Sequence, residues 1–170
     1  EFDEPFCVGL KHMNPCGAAV AATIEEAWQK AYEADTVSIY GGIVICNRTI
    51  TKEIALGMKP IFLEIVIAPD FTEEALALFA SKKNLRVMKI GAIEKLETYA
   101  TERFLDLKSM MDGGVIAQLS YLPEARTAEG LIIPEVTSKD GVVHRIKRMP
   151  TAQEMDDLLF GWLACTPRSS

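Results

Sequence analysis

Short solid apolar runs alternate along this chain with stretches of helical spacing. "FCVGL" (Phe6 to Leu10), "GGIVICN", "IFLEIVIAP" and "NLRVMKI" are strand-length and bounded by turn-forming or polar residues, so each reads as a strand. Between them, "TIEEAWQKAYEA" places Ile24, Ala27, Trp28 and Ala31 on one helical face, and Thr23-x-x-Glu26 fits a capping box. "TKEIALGM" reads as a short helix. "DFTEEALALFASKK" reads as a longer one, with Asp70 as its cap and lysines suiting its last turn. Further on, "RFLDLK" and "GGVIAQL" read as strands either side of a glycine turn, and "VVHRIKR" alternates like a strand. "YLPEARTAEGLIIPEVTSKDG" is rich in turn residues and reads as an exposed excursion. Pro150 and Thr151-x-x-Glu154 then open the helix "TAQEMDDLLFGWLAC".

Strands alternating with helices predict an α/β fold, layered αβα, with a largely parallel or mixed sheet. The 170 residues fit one domain, and 49% apolar content is enough for a sizeable core. The longest apolar runs are strand-sized and one carries a charge, so no membrane-spanning helix is expected. "EFDEPF" is acidic and lacks the plan of a signal peptide. Both ends look cut: the chain starts one acidic stretch before a strand and stops, at "CTPRSS", just after a helix.

A net charge of −6 argues against a broad grip on nucleic acid, though it leaves room for a cationic cleft. Cys7, Cys16, Cys46 and Cys165 form no Cys-x-x-Cys pair. That spacing suits neither a disulfide framework nor a zinc ribbon, and it suits a reducing cytoplasm.

The chemistry-bearing stretches are few. Lys11, His12 and Asn14 follow the first strand, in "KHMNPCGAA", where Asn-Pro-Cys-Gly suits neither helix nor strand. Ligand sites of open α/β sheets gather at carboxyl ends of strands. An ammonium beside an imidazole opposes a second positive charge, leaving a neutral base, and it can also hold a phosphate or an oxyanion. The alternative is a solvated Lys-His pair on a tight turn. In "DTVSIYGG", Ser38 and Tyr40 offer hydrogen bonds and Gly41 and Gly42 permit close backbone approach; entry into a strand explains the glycines equally. Glu64 sits inside an apolar run, where it either binds ribose hydroxyls or faces water from an edge. "DGG" at 112–114 reads as either a ligand-facing turn or an ordinary hairpin turn, the pattern favouring the hairpin. Arg145, Lys147 and Arg148 either meet an anion or form a solvated strand face. His144 gains no role.

His12 with Pro15-Cys16 faintly echoes zinc deaminases, which need His-x-Glu and Pro-Cys-x-x-Cys. Position 14 is Asn and position 19 is Ala, so both the general acid/base and a thiolate are missing, and no zinc is expected.

Taken in order, "KHMNPCG", "EEAWQKAYEADTVSIYGGIVICNRTI", "FLEIVIAPDFTEEAL", "KKNLRVM", "DGGVIAQ" and "KRMPTAQEMDDLLFGW" resemble the transformylase portion of the bifunctional AICAR formyltransferase/IMP cyclohydrolase family. The segment around "EGLIIPEVTSKDG" departs from it by its length. The resemblance implies that residues 1–170 are the first of two cytidine-deaminase-like subdomains, without the cyclohydrolase domain. It implies formyl transfer from 10-formyltetrahydrofolate, as co-substrate, to the 5-amino group of AICAR, in a cytoplasmic homodimer whose active site draws on both subunits. Lys11 and His12 match the family's catalytic pair, Gly41 a backbone contact to AICAR, and Glu64 an acidic residue at the nucleotide. Asn14 is expected to brace the loop. The resemblance places a catalytic Asn after "RSS", one residue beyond Ser170, and implies that this chain alone should have little activity. The alternative is a non-catalytic nucleotide-binding or dimerisation module of the same fold.

Overall fold

A computed structural model describes residues 2–12, 14–91, 93, 101–131 and 134–165. The chain divides into two compact units, Glu1–Glu97 and Thr98–Ser170.

The first unit is a five-stranded mixed sheet with the order β2-β1-β3-β4-β5. β1 (Phe6–Lys11) runs antiparallel to both β2 (Asn14–Val20) and β3 (Gly42–Cys46). β3, β4 (Leu63–Ala68) and β5 (Arg86–Lys89) are parallel. The expected mixed α/β architecture is therefore present. β2 is a correction, because it takes the Asn-Pro-Cys-Gly stretch read as a loop. Its edge position explains this: Pro15 need not donate to a further strand, and Gly9/Leu10 opposite it hold an irregularity that absorbs the misfit.

Helices α1 (Ile24–Ala34), α2 (Lys52–Met58) and α3 (Glu73–Ala80) follow β2, β3 and β4. Consecutive right-handed crossovers from β3 to β4 to β5 put α2 and α3 on one face. α1 joins them: its Glu25 carboxylate accepts from the Thr51 hydroxyl at 3.1 Å, just before α2. That face carries Cys7, Val44, Cys46, Val66 and Ala68, all essentially inaccessible. Ile24, Ala27, Trp28 and Ala31 of α1 complete it with Ile54, Met58 and Phe79. A side chain at Gly17 would lie 2.0 Å from the Ala31 carbonyl oxygen, so glycine lets α1 sit directly on β2. Large apolar side chains buried here contribute about 1.5–3 kcal/mol each.

Local signals explain the helix ends. The Thr23 hydroxyl accepts from the Glu26 amide at 3.2 Å, as its spacing predicted. For α3 the cap is Thr72, accepting from Ala75 at 3.3 Å, and not Asp70. Asp70 instead accepts from the Phe71 amide and from Lys89 at 2.7 Å, tying β5 to the loop before α3.

The second unit holds two hairpins, β6 (Leu105–Ser109) with β7 (Val115–Leu119), and β8 (Glu135–Thr137) with β9 (Val143–Arg145). A single helical turn, α4 (Ala128–Leu131), and the long α5 (Ala152–Cys165) complete it. The "DGG" stretch is the β6–β7 turn, with the Asp112 carboxylate accepting from Gly114 at 2.9 Å. The expected excursion thus contains α4 and β8. α5 begins with the predicted capping box: Thr151 and Glu154 exchange amide bonds at 2.8 and 3.2 Å. Among the described residues of this unit only Ser120, Pro123 and Met155 are buried. No helix among the described residues is long and apolar enough to cross a membrane.

Candidate functional site

β1 ends at Lys11 and β2 begins at its register partner Asn14, so His12 lies in the two-residue turn of a hairpin. Its backbone has φ 60°, the left-handed region that costs a side chain about 1–2 kcal/mol. A non-glycine residue held there is overdetermined by its surroundings, here by the closing pair on either side. His12 and Asn14 are both exposed. Met13 lies outside the described residues.

Pairing of β1 with β3, with Leu10 opposite Ile43, carries Lys11 to the chain just before β3. Its Nζ donates to the Tyr40 carbonyl at 2.6 Å and to the Gly41 carbonyl at 3.4 Å. An ammonium has three donors, so one remains for a ligand. Gly41 has φ 67°, and a side chain there would lie 3.2 Å from Lys11 Nζ. Glycine at this position therefore serves both the turn and the approach of the lysine.

The other predicted residues stand less close. The Ser38 hydroxyl and amide both donate to the Asp35 carboxylate, which also accepts from Val37; these bonds, Ser38 foremost, hold Asp35 below the usual carboxylate range. Ser38 thus caps a turn after α1. Glu64 is exposed near the start of β4, an interior strand, where an edge charge was one expectation. Among the described residues, no side-chain hydrogen bond or ion pair joins His12, Asn14 or Glu64 to Lys11. The residue missing from the sequence reading is Phe62. Its carbonyl accepts from the Gly41 amide at 2.7 Å, and its ring packs on Tyr40 with centroids 5.2 Å apart and planes tilted by 46°. An aromatic residue immediately before a parallel strand was the only available signal.

The site's edge also differs from expectation. Lys11 is at the carboxyl end of β1, but β1 opposes β3, so the constellation lies at the amino ends of β3 and β4. The carboxyl-end rule concerns parallel strands followed by helix N-termini. This edge instead presents the Tyr40 and Gly41 carbonyl oxygens before β3, which receive the lysine.

In the second unit, a hollow of about 530 Å³ is lined by Leu131, Ile146, Pro150, Met155, Leu158 and Trp162, with Arg148 and Asp157. Lys11, His12, Asn14, Ser38, Tyr40, Gly41 and Glu64 do not line it. Arg145 pairs with Glu135 at 2.6 Å, and Arg148 grips Glu154 with two bonds of 2.7 Å, so these two basic residues are occupied internally. Among the described residues, no three His, Cys, Asp or Glu side chains gather as a metal cluster.

Compared with known families, all of residues 1–170 match the description "AICARFT/IMPCHase bienzyme". The chain belongs to that family. It is similar to bifunctional purine biosynthesis proteins PurH: 43% identical over 162 residues to that of Caldicellulosiruptor bescii, and 45% over 162 to that of Bacillus cytotoxicus. That of Clostridium botulinum (strain Kyoto) is 44% identical over 163 residues. Each alignment covers 95% of this chain and 28% of the relative, so the chain spans under a third of those family members. Among solved structures, it resembles the dCMP deaminase of cyanophage S-TIM5 with a TM-score of 0.40 and 13% identity, over 51% of this chain and 79% of that one. It resembles Acinetobacter baumannii RibD with a TM-score of 0.44 and 12% identity, over 55% and 30%.

Proposed function

We infer that this chain forms part of the formyltransferase site of its bienzyme family, acting in purine biosynthesis. The reaction is transfer of the formyl group of 10-formyltetrahydrofolate to the 5-amino group of AICAR. One observation carries the reading: the Lys-His turn and the Tyr-Gly-Gly stretch, some 30 residues apart in sequence, meet through Lys11 and the Tyr40 and Gly41 carbonyls.

The amine of AICAR is a poor nucleophile, because its lone pair is delocalised into the ring and carboxamide. As it attacks the formyl carbon, a C–N bond forms and the amine must lose a proton. As the tetrahedral intermediate collapses, the bond to folate N10 breaks and that nitrogen must gain one. The imidazole of His12, exposed on its turn, can accept the first proton and return it to N10. A positioned general base is worth about 10²–10⁴-fold. The free donor of Lys11 can hold the developing oxyanion, electrostatic help that operates only if the ammonium is fixed beforehand. Its two backbone acceptors supply that fixation. Gly41 would contact AICAR through its backbone and Glu64 the ribose, while Tyr40 lines the entry and Asn14 closes the turn.

A second copy of the protein and the remaining chain of the family would complete the site. The test is turnover of AICAR and 10-formyltetrahydrofolate by the full-length protein carrying Lys11→Ala or His12→Ala. Losses of at least about 10²-fold in kcat are expected for each. Near-normal turnover in both would refute the assignment.

A further inference from the structure

We propose that Phe62 is a positioning residue for Lys11. This rests on the formyltransferase reading and extends it to a side chain that touches none of the reacting atoms.

Phe62 meets the site in three ways. Its carbonyl accepts the Gly41 amide at 2.7 Å, fixing the peptide whose carbonyl, that of Tyr40, receives Lys11. Its ring packs on that of Tyr40, whose carbonyl is the closer acceptor of Lys11, at 2.6 Å. The ring edge also lies beside Gly41: a Cβ there would be 3.5 Å from Cε1 of Phe62 and 3.2 Å from Nζ of Lys11. Ring and ammonium therefore flank the same bare α-carbon. Phe62 is itself braced, because Lys82 Nζ donates to the carbonyl of neighbouring Ile61.

Burial alone does not account for this arrangement. Phe62 is 40% exposed and Tyr40 66%, so the pair adds little to the core. Neither ring is among the buried residues that join the sheet to its helices. Backbone bonds from the Gly41 and Gly42 amides fix the two peptides whose carbonyls receive Lys11, and the ring fills the space beside Gly41 into which the ammonium would otherwise move. Without the ring, the backbone bond from Gly41 persists, but Tyr40 loses its packing partner. The Gly41 amide, in the same planar peptide, still holds the Tyr40 carbonyl, but the space beside Gly41 opens and the ammonium acquires alternative positions. A misplaced stabilising charge lowers the rate of the chemical step more than it weakens substrate binding.

The test uses the full-length protein with Phe62→Leu, Phe62→Tyr and Lys11→Ala. Phe62→Leu should lower kcat by about tenfold with KM for AICAR changed less than about twofold, and Phe62→Tyr should restore kcat to within about twofold of the parent. Melting temperatures should differ little among the Phe62 variants. If Phe62→Leu melts below the assay temperature, Phe62→Met, similar in volume to leucine but unbranched and more adaptable in packing, takes its place. Phe62→Leu turning over normally while Lys11→Ala is inactive would overturn the proposal and leave the formyltransferase reading standing. A loss in Phe62→Leu that Phe62→Tyr does not rescue, or that falls on KM alone, would overturn it as well. Normal turnover in Lys11→Ala would instead bring down the reading on which it rests.

Discussion

The ammonium of Lys11 is held by the backbone of Tyr40, 29 positions along the chain, through a 2.6 Å bond to its carbonyl oxygen. The bond has a carbonyl acceptor rather than a carboxylate, so it orients the charge without neutralising it. Lys11→Arg should therefore not substitute. A guanidinium is planar and longer, and it cannot place one donor on Tyr40 while aiming another at the same ligand position. We expect Lys11→Arg to lose at least about tenfold in kcat/KM in the full-length protein, measured by steady-state kinetics.

Gly41→Ala tests the crowded α-carbon. The new methyl would stand 3.2 Å from Lys11 Nζ at a φ of 67°. The expected result is a stability loss of about 1–2 kcal/mol in chemical denaturation, with displacement of the lysine and a fall in kcat.

At His12 the fold and the chemistry can be separated. Asn tolerates the left-handed turn and Val does not. His12→Asn should melt near the parent temperature, His12→Val several degrees lower, and both should lack turnover. Thermal melts and activity assays on the same samples check this.

Cys7 and Cys46 face one another across β1 and β3, with sulfurs 3.5 Å apart and both side chains buried. The bond to Cys46, followed by burial, pushes the Cys7 thiol well above its ordinary value. A folded-state value raised in this way means that the neutral thiol is the stable form. Its contribution is complete below the ordinary thiol range of about 8.5 and is lost as pH rises through the folded value. Exposed Cys165 should thus react first with a thiol reagent at pH 8, and Cys7 and Cys46 only on unfolding. Peptide mapping after timed labelling would read this directly.

Glu154 offers a titration in the opposite sense. The Arg148 guanidinium, helped by the Thr151 amide, lowers its carboxyl to about 2. This stabilisation is present above the ordinary carboxylate value of about 4.3 and disappears as pH falls towards 2. NMR titration of the Glu154 carboxyl carbon should give that low midpoint, and Arg148→Ala should raise it.

Much of this was legible in the chain. The capping pairs Thr23/Glu26 and Thr151/Glu154 and the four-residue face of α1 are local signals, and each reappears in space. β2 was not legible, because an edge strand tolerates the proline that would exclude an interior one. Thr72 displaced Asp70 as a cap because an acidic side chain before a helix can equally be claimed by a distant lysine, here Lys89. In the site, the residue types were evident but their meeting was not. Lys11 joins Tyr40 through strand pairing, and Phe62 enters by a backbone bond that no side-chain pattern encodes.

The alignment of β1 on β3, with Cys7 facing Cys46 and Leu10 facing Ile43, has a further effect. A slip of one residue between these strands would turn every side chain of β1 to the opposite side of the sheet. The ammonium would then travel with them, away from its two oxygen anchors. Interlocking of small buried groups one strand-length from the reactive turn is therefore what keeps the lysine in place.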